Sequence, residues 1–291
     1  MDTVIGLGKA GCAIADQFSK FDQYRVYKVD VGLEGLKKDG IYNMPKQSGP
    51  EMYEQNCPNL KNFFKDVRGE VLFIVGGSGD ITGATLRILE KLSNCDINIL
   101  YIRPDVNLLP EAKKRHEWVT FNVLQEYARS AVFKRLWLID NVYVEKIIGD
   151  VPIKSYYDTI NQFIVSTIHM VNVYNHIESV ANTFSEPFET HRISTIGLAA
   201  LEKSEINLFF PLDNVKDIRY YYAINNQRIE EDGKLFTKIK EQVKNQTTDE
   251  IKTSFGVYST DYDSDYVYVV CNTPVIQRHL SNEEKPLDLF A

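Results

Sequence analysis

Two glycine-rich segments carry the residue types that can bind phosphate. The first is residues 6–11 (Gly-Leu-Gly-Lys-Ala-Gly), and the second is residues 76–83 (Gly-Gly-Ser-Gly-Asp-Ile-Thr-Gly). Each follows a short apolar strand and precedes a helical pattern, so unpaired backbone N–H groups and a positive helix dipole meet at the loop. The second segment is not a Walker A motif, because no Lys-Ser/Thr pair follows its glycines. Both loops therefore predict phosphate binding of another kind.

Three further polar residues stand where predicted strands end. Asp30 closes the strand 24–29, Arg103 follows the strand 96–102, and Asn141 follows the strand 135–139. An acid in the position of Asp30 would bond the ribose hydroxyls of a dinucleotide. In an open parallel sheet the ligand crevice lies at the carboxyl ends of the strands. We therefore expect these residues and the two glycine loops to converge on one site.

The elements that must position these residues form an α/β pattern. Strands are predicted at 3–5, 24–29, 71–75, 96–102 and 135–139, and helices at 12–18, 50–65, 84–92 and about 111–130. This alternation predicts an open parallel sheet with helices on both faces. A long helix is then expected over roughly 153–178, about 26 residues and about 39 Å. Its first turns, with Tyr156, Tyr157 and Asn161, can face the crevice.

The last third of the chain predicts a separate α+β unit. Strands are expected at 206–211, 218–224, 251–257 and 266–272, with a charged helix at about 232–246. We therefore divide the chain into a nucleotide-binding domain (1–150), a central helix (151–182), an α+β domain (183–280) and a mobile tail (281–291). The tail is mildly acidic, with Glu283, Glu284 and Asp288.

Composition restricts the class of protein. The chain has 291 residues, 44% hydrophobic, and a formal net charge of −7, which argues against a protein that wraps nucleic acid. No apolar run approaches the roughly 20 residues of a membrane span, and the start of the chain lacks a signal pattern. Four scattered cysteines and five histidines show no disulfide or metal spacing. We expect a cytoplasmic protein without a structural metal site.

The order of these motifs resembles the tubulin/FtsZ superfamily, up to about residue 275. The run 76–83 is similar to its GGGTGxG phosphate signature, Cys12 stands where tubulins carry a cysteine, and Ile102-Arg103-Pro104 resembles the Thr-Arg-Pro of bacterial members. Leu138-Ile139-Asp140-Asn141 ends a strand as the family's Asp-Asn does. The resemblance implies a Rossmann-like GTPase domain with a parallel sheet, a long central helix and a C-terminal α+β domain.

The resemblance also implies a bound nucleotide, GTP or GDP, with Mg²⁺. Asn141 would bond the guanine, while Tyr157 and Asn161, four residues apart on one helix face, would stack on the base and bond its edge. The nucleotide-binding positions so implied are Gly6, Gly8, Lys9, Gly11, Cys12, Asp30, Gly77, Ser78, Gly79, Asp80, Thr82, Gly83, Arg103, Asn141, Tyr157 and Asn161.

Two departures from the family pattern affect this interpretation. Ser78 and Ile81 replace glycines of the signature, and Asp80 adds a negative charge beside the phosphates, which is tolerable if it holds Mg²⁺ or points away. The family's catalytic N-x-D-x-x-D has its nearest counterpart in Asn182, Glu186 and Glu189, with shifted spacing. In the family this loop reaches the nucleotide of the next subunit, so Glu186 or Glu189 would orient the attacking water.

The implied function is a GTPase that assembles head to tail into filaments. In size the chain resembles the phage- and plasmid-borne tubulin-like proteins, which position viral DNA or segregate plasmids, so a DNA-bound adaptor or viral cargo is an expected partner. One alternative is a structural protein of the same fold that does not hydrolyse GTP efficiently. Another is an NAD(P)-binding Rossmann oxidoreductase, resting on residues 6–11 and Asp30, which leaves the second glycine loop unexplained.

Overall fold

The structure is a computed structural model that describes residues 1–34, 39–201, 203 and 205–278. The tail predicted at 281–291, with Glu283, Glu284 and Asp288, lies outside the described residues. None of the described helices is both long and apolar enough to cross a membrane.

The first half of the chain alternates strands and helices, as the apolar pattern predicts. The elements are β1 (Thr3–Leu7), α1 (Gly8–Phe18), β2 (Arg25–Asp30), β3 (Ile41–Asn43), α2 (Pro50–Gln55), β4 (Glu70–Gly76), α3 (Thr85–Leu89), β5 (Asp96–Arg103), α4 (Glu111–Arg129), β6 (Arg135–Asp140) and α5 (Asn141–Ile148). β3, β2, β1, β4, β5 and β6 pair in parallel in that order. Their carboxyl ends therefore share one edge of the sheet.

The centre of the sheet is buried on both faces because Val71–Val75 of β4 are apolar at every position. In β4, Val71, Phe73 and Val75 point into one core, while Leu72 and Ile74 point into the other. The first core packs against α2, α3 and α4, and the second packs against α1 and the central helix. A continuous apolar run is typical of a parallel strand covered by helices on both sides.

The second half of the chain extends the same sheet. Its elements are α6 (Tyr156–Tyr174), β7 (Ala181–Asn182), β8 (Ile193–Ala199), β9 (Ile206–Leu208), β10 (Asp217–Asn225), α7 (Asn226–Glu231), α8 (Leu235–Gln246), β11 (Lys252–Thr260) and β12 (Tyr266–Thr273). Among the described residues the strand order is β3-β2-β1-β4-β5-β6-β8-β12-β10-β11-β7, with β9 on β8. The pairs that β8 makes with β12 and β9, β12 with β10, and β11 with β7 are antiparallel. The result is a mixed α/β fold.

Strand β8 joins the two halves, and the sequence did not predict it. It pairs in parallel with β6 through Leu136 and Trp137, and in antiparallel fashion with β12. Ser194 and Thr195 are fully buried and obscure the apolar pattern of the strand. Gly197 is needed because a Cβ there would lie 2.4 Å from the Asn207 carbonyl oxygen of β9.

The central helix is shorter than predicted. It covers 19 residues, Tyr156–Tyr174, or about 28 Å, and not the 26 residues of 153–178. Residues Ile153–Ser155 form a 3-10 turn after Pro152. At the other end, the backbone N–H of Val180 donates to the Val257 carbonyl oxygen at 2.7 Å. Strand pairing with β11 therefore takes the chain out of the helical conformation that its apolar spacing favours.

Two other predicted helices differ from the structure. The helix expected at 50–65 ends at Gln55, because Pro58 has no N–H to continue it. Leu60 and Phe64 then pack into the core from a series of turns. The helix expected at 84–92 begins earlier, with a 3-10 turn at Asp80–Ala84, and α3 itself is only five residues long.

Candidate nucleotide-binding site

A cavity of about 500 Å³ opens at the carboxyl edge of the parallel strands. It lies between the loops that follow β1 and β4, the ends of β5 and β6, and the first turns of α6. Its lining residues are Leu7, Gly8, Lys9, Ala10, Ala13, Ile14, Gly76, Gly77, Ser78, Gly79, Ile81, Thr82, Ile102, Pro104, Asn141, Tyr157, Asp158 and Asn161. Nine predicted binding residues are therefore brought together, in the crevice where the sheet topology places ligands.

Glycines form the end of the cavity that can accept phosphate. Gly8 begins α1 with φ of +70°, and a Cβ there would lie 2.7 Å from Ile81 Cγ2. A Cβ on Gly77 would lie 2.1 Å from the Tyr101 hydroxyl. The free N–H groups of the first turn of α1 therefore face a backbone-lined cradle, and Lys9 adds a positive charge at the same helix end.

Helix α4 holds the second glycine loop in place. The Thr82 hydroxyl donates to the Gly79 carbonyl oxygen at 2.5 Å, and His116 Nε2 lies 2.6 Å from that hydroxyl and 2.9 Å from the same carbonyl oxygen. Lys113 Nζ donates to the Asp80 carboxylate at 2.6 Å. Asp80 thus turns toward α4 and does not line the cavity, so its charge is neutralised there. Sequence reasoning missed both α4 residues, because no local spacing links them to the loop.

The opposite end of the cavity offers groups that suit a purine base. Tyr157 is 70% exposed and Asn161 is 9% exposed, on one face of α6. Asn141 begins α5, whose N-cap is Asp140, with Asp140 Oδ1 accepting from the Val142 N–H at 2.9 Å. The side-chain oxygen of Asn141 is buried and has no hydrogen-bond donor within the described part of the chain. A buried acceptor that lacks a donor is stabilised when a ligand N–H donates a hydrogen bond to it.

Solved structures share this architecture. TubZ of Bacillus thuringiensis serovar israelensis, in a GTPγS-form protofilament, is 16% identical with a TM-score of 0.67, over 92% of this chain and 86% of that one. A type III plasmid segregation TubZ is 17% identical with a TM-score of 0.70, over 92% and 86%. FtsZ of M. jannaschii is 12% identical with a TM-score of 0.66, over 97% and 94%. No protein-family model and no curated protein matches the sequence.

The chain has the tubulin/FtsZ fold. This confirms the fold class that the sequence motifs predicted. At these levels of identity the likeness shows the fold alone.

Three predicted glycines of this tubulin/FtsZ fold lie outside the cavity lining and serve packing. A Cβ on Gly6 would lie 2.4 Å from the Gly11 carbonyl oxygen, and a Cβ on Gly11 would lie 2.5 Å from the Ile74 carbonyl oxygen. A Cβ on Gly83 would lie 2.0 Å from the Pro50 carbonyl oxygen. These glycines let α1 approach β1 and β4, and let the second loop approach α2.

Arg103 supports the site from behind and does not line it. Its side chain is 4% exposed, with Nη1 3.4 Å from Asp140 Oδ2 and Nε 3.6 Å from Glu117 Oε1. The Tyr101 hydroxyl donates to the same Glu117 oxygen at 2.7 Å. Burial raises the pKa of Asp140, while Arg103 opposes this shift. The contacts among Arg103, Glu117 and Asp140 therefore fix the N-cap of α5, and with it the position of Asn141.

Cys12 and Asp30 also lie outside the lining. Cys12 is 8% exposed, and its thiol donates to the Gly6 carbonyl oxygen at 3.4 Å. Burial, reinforced by the charge of Asp30, raises the pKa of Cys12 to about 12. The Asp30 carboxylate accepts from the Val31 N–H at 2.8 Å, and burial raises its pKa. The Cys12 thiol is thus engaged within the fold, and the Asp30 carboxylate bonds the backbone at the end of its own strand.

The two predicted catalytic acids lie away from this cavity. Glu186 and Glu189 are exposed in the segment that leads into the start of β8. Glu186 Oε1 is 3.7 Å from Arg219 Nη2, and Glu186 lines a second cavity at the amino edge of the sheet, together with Glu70 and Asn98. The central helix separates the two edges by about 28 Å. Within one subunit these acids do not reach the phosphate end of the first cavity.

Proposed function

We propose that this protein binds GTP and GDP in the carboxyl-edge cavity and assembles head to tail into filaments. The buried side-chain oxygen of Asn141, which has no hydrogen-bond donor among the described residues, carries the proposal, because the N–H groups on the edge of guanine can donate to it. The GTPγS-form protofilament of the similar TubZ supports both parts. Residues 1–150 would form the nucleotide domain, 151–182 the central helix segment and 183–280 the second domain.

Different residues of the cavity would bind different parts of the nucleotide. Backbone N–H groups at Gly8, Ser78 and Gly79 would hold the phosphates, with Lys9 balancing their charge, whereas the Gly77 N–H donates to the Ile102 carbonyl oxygen at 3.0 Å. Tyr157 would cover the base, and Asn161 would read its edge. Mg²⁺ would be held mainly by phosphate oxygens and water, as is usual for this ion. Its role would be to neutralise charge on the phosphates.

Hydrolysis would take place where two subunits meet. Head-to-tail contact places the amino edge of one subunit against the carboxyl edge of the next, so Glu186 or Glu189 would face a nucleotide that its own subunit does not hold. A carboxylate there would orient the attacking water. Phosphoryl transfer demands mainly positioning and charge stabilisation from the protein.

The biological role we propose is the positioning of phage or plasmid DNA in the cytoplasm. One similar structure is of a TubZ from type III plasmid segregation, which supports this choice. The cargo would be a DNA-bound adaptor or a viral particle. A structural filament without efficient hydrolysis is the second candidate, favoured by the exchange of the catalytic aspartates for glutamates.

Nucleotide binding and assembly can be tested together. We expect the protein to pellet with GTP and to stay in the supernatant without nucleotide. Tyr157→Ala should weaken GTP binding by about 10- to 100-fold, because base–aromatic stacking contributes about 1–3 kcal/mol. Tyr157→Phe keeps the ring and should bind as the unchanged protein does. Binding of NAD(P)H and not of GTP would instead support the oxidoreductase alternative.

Hydrolysis can be tested by phosphate release from pelleted filaments. Glu186→Gln or Glu189→Gln should reduce release by about 100-fold, the usual contribution of a carboxylate that positions or activates water. Glu241→Gln changes an exposed acid on α8 and should leave release unchanged. Wild-type release in both test variants would exclude these acids from catalysis. Filaments that form with GTP and release no phosphate would support the structural alternative.

A further inference from the structure

The second cavity, at the amino edge of the sheet, has an unusual charge distribution. It measures about 320 Å³ and lies at the end of the molecule opposite the proposed nucleotide site. Arg135, at the start of β6, and Arg219, on β10, both line it. The last turn of α6 and the indole of Trp137 complete its walls.

Arg135 has little to neutralise it. Its one hydrogen bond among the described residues is from Nη1 to Asn272 Oδ1, at 2.6 Å, and no described carboxylate lies within ion-pair distance. Its guanidinium carbon lies 5.5 Å from the centroid of the Trp137 ring. Burial, and after it the neighbouring Arg219, lower the pKa of Arg135 to about 10. A part-buried cation beside a like charge is costly unless an anion accompanies it.

Arg219 is only weakly compensated. Its side chain is 13% exposed and donates to the Ser185 carbonyl oxygen, while the nearest carboxylate, Glu186, is 94% exposed at 3.7 Å. A pair in which one partner is so exposed contributes little. The other acid of the lining, Glu70, is already paired with Lys134 at 3.3 Å.

Another polar atom of the same neighbourhood is also unpartnered. Asn272 is fully buried, and its Oδ1 accepts from both Arg135 and the Ser194 hydroxyl. Its Nδ2 has no acceptor within the described residues. The carbonyl end of α6 borders the cavity, but a helix end carries only about half a negative charge, against two full positive ones.

We propose that this cavity is an oxyanion site, in which a phosphate group binds between the guanidiniums of Arg135 and Arg219. Planar guanidinium groups match phosphate oxygens in bidentate pairs, and a pair of them inside one cavity provides enough donors for a tetrahedral anion. The proposal does not rest on the proposed nucleotide site of the same subunit, because its residues lie at the other end of the molecule. The phosphate can come from free inorganic phosphate or from a nucleotide.

Trp137 allows binding to be followed at this cavity alone. The chain has two tryptophans, so Trp118→Phe on the exposed face of α4 leaves Trp137 as the single indole reporter. Titration with inorganic phosphate at constant ionic strength should change its emission saturably. At about 20-fold excess over the dissociation constant, the melting temperature should rise by a few degrees, about 2–6 °C.

Matched variants test whether the changes in Trp137 emission and melting temperature come from phosphate bound by the two arginines. Arg135→Gln and Arg219→Gln should each remove the emission change and the rise in melting temperature, whereas Lys240→Gln, at an exposed lysine of α8 outside this cavity, should keep both. Arg135→Gln should melt no lower than the parent in phosphate-free buffer, because it removes an unpaired cation. If that variant fails to fold, Arg219→Gln carries the test.

A further variant distinguishes binding at this cavity from binding at the first cavity, and inorganic phosphate from a nucleotide phosphate. Ser78→Asp, in the phosphate loop of the first cavity, should leave the Trp137 response to phosphate intact. Adding GTP to this variant shows whether a nucleotide phosphate also binds. No saturable change in Trp137 emission with either probe, or a response that survives both arginine substitutions, would overturn the oxyanion site.

Discussion

Replacing Ser78 with aspartate is expected to weaken GTP binding by about 100- to 1,000-fold. Ser78 lies in the lining of the carboxyl-edge cavity, between two glycines of the phosphate loop. A carboxylate about 4 Å from a phosphate charge costs about 4 kcal/mol at an effective dielectric constant of about 20. That energy corresponds to about three decades in affinity. Equilibrium titration with a fluorescent GTP analogue measures it.

The control for this prediction is Ser78→Asn, which has the same size and no charge and should bind within a few-fold of the unchanged protein. Part of the loss in Ser78→Asp should be recovered at high salt, because screening weakens repulsion between exposed charges. If Ser78→Asp binds as tightly as Ser78→Asn, the phosphates do not lie at this loop.

The native Asp80 shows why position decides the effect of an acid in this loop. It stands two residues from Ser78, yet Lys113 holds its carboxylate at 2.6 Å on the side of α4. The Asp80 charge, which the sequence places in the second glycine loop, is thus directed away from the proposed phosphate site. His116 also holds the loop backbone, because its Nε2 lies within hydrogen-bond distance of the Thr82 hydroxyl.

Replacing Gly11 with alanine is expected to destabilise the fold by about 2 kcal/mol, which lowers the melting temperature by about 4–8 °C. Alanine normally stabilises a helix by about 1 kcal/mol relative to glycine. At this position, however, the new Cβ would lie 2.5 Å from the Ile74 carbonyl oxygen in the centre of β4. Both partners are backbone in the core, so neither can move without cost.

Gly233→Ala provides the matched control, because no atom of the described residues lies within 4 Å of a Cβ built there. It should change the melting temperature by no more than about a degree. Thermal unfolding followed by circular dichroism compares the two variants. Equal melting temperatures would mean that α1 does not pack against β4 as closely as the structure has it.

The sequence was enough to predict that Asn141, Tyr157 and Asn161 line one cavity. Asn141 follows a strand, and parallel strands bring their carboxyl ends to one edge, so the residue had to lie near the two glycine loops. Tyr157 and Asn161 are four residues apart on a helix, so they had to share a face. Helical periodicity, and the rule that parallel strands end at one edge of the sheet, were enough to predict that these residues lie together.

The same motifs did not distinguish residues that line the cavity from residues that support it. Arg103 and Cys12 fit the family pattern, yet both side chains are buried behind the lining. Gly6 and Gly11 are required because strand and helix backbones touch at these positions. The motif shows which residue type occupies a position, but it does not show which neighbouring atoms make that type necessary.

The amino-acid pattern was enough to predict the five parallel strands β1, β2, β4, β5 and β6, the two glycine loops and the polar residues at the strand ends, because these depend on local periodicity and backbone geometry. The length of α6, the strand β8, the contacts of α4 with the second glycine loop, and the proximity of Arg135 to Arg219 became evident only in the folded chain. These features depend on contacts between residues far apart in the chain, and such contacts override local preference when they bury more surface or pair more hydrogen bonds.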